Sequence, residues 1–231
     1  LFLVQPMVAR MVLPKLGGAP AVWNSAMLVY QALLLGGYAY AHWLGRLSLR
    51  RQAVVHGGLL LIAAAWLPIG IASIGAPPSG QEALWVPLLL LASIGPVFFA
   101  VSAQAPLMQR WFAADNRAGD PYYLYAASNL GSFAGLLSYP LWVEPNFLLA
   151  NQAWGWTAGY AALFLLVMLA AAAIWRVQPQ AVAANADIAA DEPRPSLRRK
   201  LHWLALAAVP SGLMLSTTTH LTTDIVAMPL L

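Results

Sequence analysis

Charged side chains are scarce in this chain, and that scarcity narrows what it can fold into. Of 231 residues only 9% are Asp, Glu, Lys or Arg, while 61% are hydrophobic. A soluble globular chain carries about 25% charged and about 45–50% apolar residues. A surface facing water needs those charges, whereas a surface facing lipid is better without them. The mean hydropathy of +0.68 points the same way. The expected fold class is all-α, a polytopic bundle of transmembrane helices.

A spanning helix takes about 20 mostly apolar residues. Runs of that kind fall at about 20–43, 52–74, 83–103, 121–142, 152–175 and 201–219. The run at 1–13 is too short to span and reads as the end of a truncated helix. The run from 83 continues toward Trp111, and a further one opens near Ile225. About seven spans are therefore expected, the first truncated. Both ends lie in apolar sequence, so the chain reads as a piece of a longer polypeptide. Gly17-Gly18-Ala19-Pro20, Ala76-Pro77-Pro78-Ser79-Gly80 and Glu144-Pro145-Asn146 supply breaks between runs. Asp120-Pro121 supplies a helix start, with an N-cap followed by proline in the first turn.

The basic residues are distributed unevenly among the breaks. Arg46, Arg50 and Arg51 fall in one, and Arg110 and Arg117 in another. Arg176, Arg194, Arg198, Arg199 and Lys200 fall in a third. Arg10 and Lys15 lie on the other side of this alternation. Lys and Arg mark the cytoplasmic side of a membrane protein. That rule predicts a multi-pass protein of the bacterial inner membrane with its N-terminus in the cytoplasm. Basic residues placed this way favour a lipid bilayer as partner over nucleic acid. The chain has no cysteine, which removes disulfides and thiolate metal sites.

The stretch 177–199 is rich in Ala, Pro and acids and reads as a flexible cytoplasmic linker. It divides the chain into a six-helix bundle, 1–176, and the start of a second membrane half, 200–231. Six helices, a cytoplasmic linker and further helices form a major-facilitator-like plan.

Candidate site residues are polar groups within apolar runs. Gln104 and Gln109 follow a run interrupted by Pro87 and Pro96, with Pro106 between them. Prolines free carbonyls and kink helices, and broken helices line solute sites in some transporters. A kinked packing helix is the plainer alternative. Asn129 lies in the next run, where a buried amide must find a partner. Beside it Ala127, Gly131 and Gly135 recur every four residues, a stripe suited to close helix packing. Gln5, Asn24, Gln31, His42 and His56 are further polar groups in apolar surroundings, more ordinary as satisfied interior groups than as ligands. His220 and Asp224 lie in a polar run, Thr217 to Asp224, which reads either as an outer loop with a helix cap or as a patch facing a cavity. No two histidines have metal-ligand spacing, and no catalytic constellation or cofactor loop is visible.

Several stretches together carry a family resemblance. They are Gln5-Pro6-Met7-Val8-Ala9-Arg10, Leu13-Pro14-Lys15-Leu16-Gly17, Ala105-Pro106-Leu107-Met108-Gln109-Arg110-Trp111, Leu124-Tyr125-Ala126-Ala127-Ser128-Asn129-Leu130-Gly131-Ser132 and Leu221-Thr222-Thr223-Asp224-Ile225. In this order they resemble the membrane part of bacterial fused major-facilitator/spermidine-synthase-like proteins. The resemblance implies a soluble aminopropyltransferase-like domain following in the same chain. It also implies a role in anchoring that enzyme or handling a polyamine-type, small cationic solute. The usual facilitator loop motif is only echoed, by Gly37, Gly45, Arg46, Arg50 and Arg51, with no acid after Gly37. A stand-alone major-facilitator-like transporter of a small solute is the alternative.

Overall fold

A computed structural model describes residues 1–16, 20–75, 82–114, 122–175 and 195–220. The described residues are helical almost throughout and contain no strand. The helices are α1 (Val4–Leu16), α2 (Pro20–Leu44), α3 (Leu49–Ala63), α4 (Glu82–Ser102) and α5 (Gln104–Ala113). They continue as α6 (Tyr122–Ser138), the single turn α7 (Glu144–Asn146), α8 (Leu149–Ile174) and α9 (Leu197–His220).

The all-helical class expected from the sequence is present. The seven spans are not all seen as such. Among the described residues two helical runs are long and apolar enough to cross a membrane: Leu84–Ala113, which joins α4 and α5, and Leu149–Ile174, which is α8. At 1.5 Å per residue, α1 and α3 fall short of the ~30 Å hydrocarbon slab, whereas α6 runs on through a π-helical segment, Tyr139–Val143, into α7 but is diluted by Ser128, Asn129, Ser132 and Ser138. In α2 the length suffices, at 25 residues, but Asn24, Gln31 and His42 dilute it. The run expected at 52–74 is the clearest departure. Its helix stops at Ala63, passes through a 3-10 turn, Ala64–Trp66, and leaves Leu67 to Gly75 non-helical.

That non-helical strap is held against α4. Ile69 enters the core, and the Ala72 N–H donates to Ser93 Oγ at 2.9 Å. The Trp66 indole N–H donates to the Ala92 carbonyl at 3.0 Å. Pro96 has no N–H with which to bond that carbonyl four residues back. Trp66 therefore supplies the partner that the proline removes.

α2 and α4 form the most extensive helix pair. Gly36 and Gly37 make that approach possible. A Cβ on Gly37 would stand 2.6 Å from the Ser102 Cβ and 3.1 Å from the Phe99 carbonyl oxygen. On the α1 side Val4, Met7, Val8 and Val12 follow helical spacing and pack with Val29, Tyr30, Leu89, Ile94 and Phe98. A second core joins α3 to α8, with Ala53, Leu60 and Ala63 against Tyr160, Val167 and Ala171. The Tyr160 hydroxyl donates to the Leu60 carbonyl at 2.7 Å across that seam.

α3 and α8 begin with the same device. Gln52 and Gln152, both buried, each sit in the fourth helical position and donate from Nε2 to a carbonyl five residues back, Leu47 and Phe147, both at 2.8 Å. Gln52 goes further, and its Oε1 accepts from the Trp111 indole at 3.0 Å, tying α3 to α5.

The linker expected at 177–199 lies outside the described residues up to 194. Its last three residues are already helical, because Ser196 caps α9 by accepting from the Arg199 N–H at 3.3 Å. The described side chains of α9 are exposed.

Candidate functional site

A cavity of about 780 Å³ lies between α1, α2, α4, α5 and α6. Each helix sends one face to it. From α2 come Met27, Tyr30, Gln31, Leu34 and Tyr38, spaced as one side of a helix. From α6 come Tyr125, Ser128, Asn129 and Ser132, again three and four residues apart. Phe98 and Ser102 end α4, and Gln104 and Gln109 lie on α5. Gln5 contributes from α1. None of the described lining residues is Asp, Glu, Lys, Arg or His. The wall is thus largely apolar, with Leu1, Met27, Leu34, Val101, Met108 and Leu124 among aromatic, hydroxyl and amide side chains.

Ser102 and Ser132 each donate to the carbonyl four residues back, Phe98 at 2.7 Å and Ser128 at 2.9 Å. Their hydroxyls keep lone pairs for the cavity. The Tyr30 ring stacks on Phe98 at 5.2 Å between centroids, which holds the phenol at the wall. Tyr30 is only 2% exposed and Gln104 8%, yet the Tyr30 hydroxyl and Gln104 Oε1 have no protein partner. Behind Gln104 stands His56, fully buried on α3, with its Nε2 2.7 Å from the Gln104 amide nitrogen. The Tyr40 ring packs on the imidazole at 5.9 Å.

Of the residues picked out in the sequence, Gln104, Gln109 and Asn129 meet in this one cavity. His220 ends α9 and is not among its lining residues. Asp224 lies outside the described residues. The packing stripe comes out differently from its expectation. Ala127 is exposed, and a Cβ on Gly131 would meet nothing within 4 Å. Gly135 has ordinary contact only, with Leu3 and Phe2. The polar face next to that stripe, Tyr125, Ser128, Asn129 and Ser132, borders the cavity, its first three residues still exposed. Close helix approach occurs instead on α2, at Gly36 and Gly37, where Gly37, Ala41 and Gly45 form a second four-residue repeat of small residues that the sequence reading did not single out.

Tyr30 was not singled out in the sequence, and a tyrosine in an apolar run carries no distinguishing signal there. His56 was noticed only as an isolated polar group. Its partner Gln104 is 48 residues away, a separation that no local pattern encodes.

Charge follows the helix ends. The Arg110 guanidinium occupies the space that a side chain on Gly45 would need. Arg50 donates to the Trp175 carbonyl at the end of α8, at 3.4 Å. Arg10 pairs with Glu144 at 3.1 Å, joining α1 to α7. Comparison of the chain with protein-family models, curated proteins and solved structures found no match.

Proposed function

We propose that this chain is the membrane domain of a fused major-facilitator/spermidine-synthase-like protein of the bacterial inner membrane, and that the cavity between α1, α2, α4, α5 and α6 receives a small polar solute. The observation that carries this reading is the convergence of Gln104, Gln109 and Asn129 on one cavity, joined by Gln5 and Gln31. Amides in an apolar helical bundle are costly unless they are paired. Gln104 is buried and Gln5 and Gln109 are half-buried, while Gln31 and Asn129 are exposed, and a solute that pairs with them would offset the cost of the buried ones.

Multi-pass insertion with a cytoplasmic N-terminus is supported by the grouping of charge. Arg50 and Arg110 mark one end of the bundle, beside Arg46 and Arg51, and Arg10 is neutralised by Glu144. Broad apolar exposure on α2, α3, α6 and α8 supports lipid contact, with Leu28, Leu35, Leu61, Leu130 and Leu165 all more than 60% exposed.

The polyamine-type identity of the solute, and an enzyme domain following in the same chain, rest on the sequence resemblance. The experiment is uptake of labelled putrescine into proteoliposomes carrying the full-length protein. Uptake above that of protein-free vesicles is expected, reduced by Asn129→Ala. Equal uptake with and without protein would remove the solute-handling role and leave anchoring. The stand-alone transporter is favoured by a different feature, the proline-interrupted run of α4 and α5 that lines the cavity. A reading frame that continues into further apolar spans and then stops would select it.

A further inference from the structure

Arginines from distant parts of the chain gather at one end of the bundle. The turn that joins α2 to α3 carries Arg46, and Arg50 and Arg51 open α3. Arg110 arrives there from α5, because its guanidinium fills the space beside Gly45 that any side chain at that position would take. The backbone at Gly45 lies outside the left-handed region, so the seat for Arg110 is what the structure offers as the reason for glycine there. Arg50 donates to the Trp175 carbonyl at 3.4 Å, which brings the end of α8 to the same place. Arg46, Arg51 and Arg110 are exposed, and among the described residues no carboxylate pairs with them. The ion pair of Arg10 with Glu144 stands beyond the opposite end of α8, a helix of 26 residues and so about 39 Å long. Like charges gathered this way repel, and an anion between them turns repulsion into attraction.

The geometry points to a phosphate site at this end of the bundle, built from Arg110 in its Gly45 seat and from Arg46, flanked by Arg51, and occupied by the headgroup of an anionic phospholipid. A planar guanidinium presents paired N–H donors that match two oxygens of a phosphate. Trp43 closes α2 just before the turn and Trp175 follows α8, and both are exposed. Exposed indoles favour the boundary between hydrocarbon and headgroups. That level, together with the anionic lipids of the cytoplasmic leaflet, selects a lipid phosphate over a soluble one. The inference rests on the membrane reading and not on the cavity.

The test is displacement of a fluorescent short-chain phosphatidylglycerol from the purified full-length protein in neutral detergent. The competitors are unlabelled phosphatidylglycerol, phosphatidylcholine of the same chain length and inorganic phosphate. Phosphatidylglycerol should displace the probe, and phosphatidylcholine, whose choline neutralises its phosphate, should do so about tenfold less well. Arg110→Gln and Arg46→Gln should each weaken binding by about tenfold, the loss of a charged hydrogen-bond donor. Arg110→Lys keeps the charge without the paired donors and should recover only part of that loss. Gly45→Ala removes no charge. The atoms nearest its new Cβ are the tip of the flexible Arg110 side chain, so the fold should tolerate it. The guanidinium nevertheless leaves its seat, and binding should fall about as far as in Arg110→Gln. Arg199→Gln takes the same charge from α9, where the guanidinium lies over the Trp203 ring at 5.3 Å. It should leave binding within about twofold.

Folded Gly45→Ala or Arg110→Gln that binds as wild type overturns the site. So does equal weakening by Arg199→Gln, which would mean attraction to net charge without a built seat. Inorganic phosphate that displaces the probe as well as phosphatidylglycerol overturns the lipid assignment. Phosphatidylcholine that matches phosphatidylglycerol shows acyl-chain contact alone and overturns the phosphate site. Protein that binds the lipid but takes up no putrescine leaves this inference standing, whereas protein that takes up putrescine but binds no phosphatidylglycerol removes it alone.

Discussion

Gly37 and Gly131 sit in comparable apolar helices, but the structure gives them opposite roles. Any side chain on Gly37 would run into Ser102 and the Phe99 carbonyl, which are backbone and Cβ rather than a flexible tip. Gly37→Leu should destabilise the domain by about 1–3 kcal/mol, the usual range for overpacking. Gly131→Leu, with nothing within 4 Å, should leave the melting temperature in detergent nearly unchanged. Equal losses from the two variants would show that the α2–α4 contact is not as close as described. Gln52 is a second residue whose surroundings decide its role. It satisfies the Leu47 carbonyl and the Trp111 indole together while 1% exposed. Gln52→Leu preserves volume but orphans both groups, and a loss of about 1–3 kcal/mol is expected in thermal unfolding.

Among the elements, α4 shows how a proline can be accommodated inside an apolar helix. Pro96 leaves the Ala92 carbonyl without its intrahelical donor, and Trp66 reaches it from the turn after α3. Such a hydrogen bond is worth about 1 kcal/mol. Trp66→Phe should therefore cost about 1 kcal/mol in the native background and clearly less after Pro96→Ala, which returns an N–H to the ladder. A double-mutant cycle with no coupling would mean that Trp66 acts through packing alone. The strap that follows, with Ile69 in the core and Ala72 tied to Ser93, obeys the same constraint. The prolines of this run were legible in the sequence as kinks. The partner for the freed carbonyl was not, because it comes from another element.

For the whole molecule, the charge layout makes a topological prediction that this chain is well suited to test. These 231 residues contain no cysteine, so a cysteine introduced here has no background from this domain. Arg51→Cys, near the start of α3, and Asn146→Cys, at the end of α7, should label from opposite sides of the membrane with an impermeant thiol reagent. The first should label only in inverted vesicles and the second only in right-side-out cells. Labelling of both from one side would refute the multi-pass arrangement proposed here.

Composition and periodicity determined the helical class, the approximate placement of most helices and the pool of polar residues from which a site could be built. Those are local properties: apolar runs read as helices, and amides within them stand out against their neighbours. Asn129, Gln104 and Gln109 could be picked out on that basis alone. Tertiary structure decided the rest. It ended the third apolar run early, because a strap with its own hydrogen-bond partners fits against α4. It moved close helix contact from Gly131 to Gly37, because contact depends on what stands opposite and not on the small residue itself. It also placed His56 behind Gln104, since two residues 48 positions apart meet only when α3 and the α4–α5 junction pack side by side.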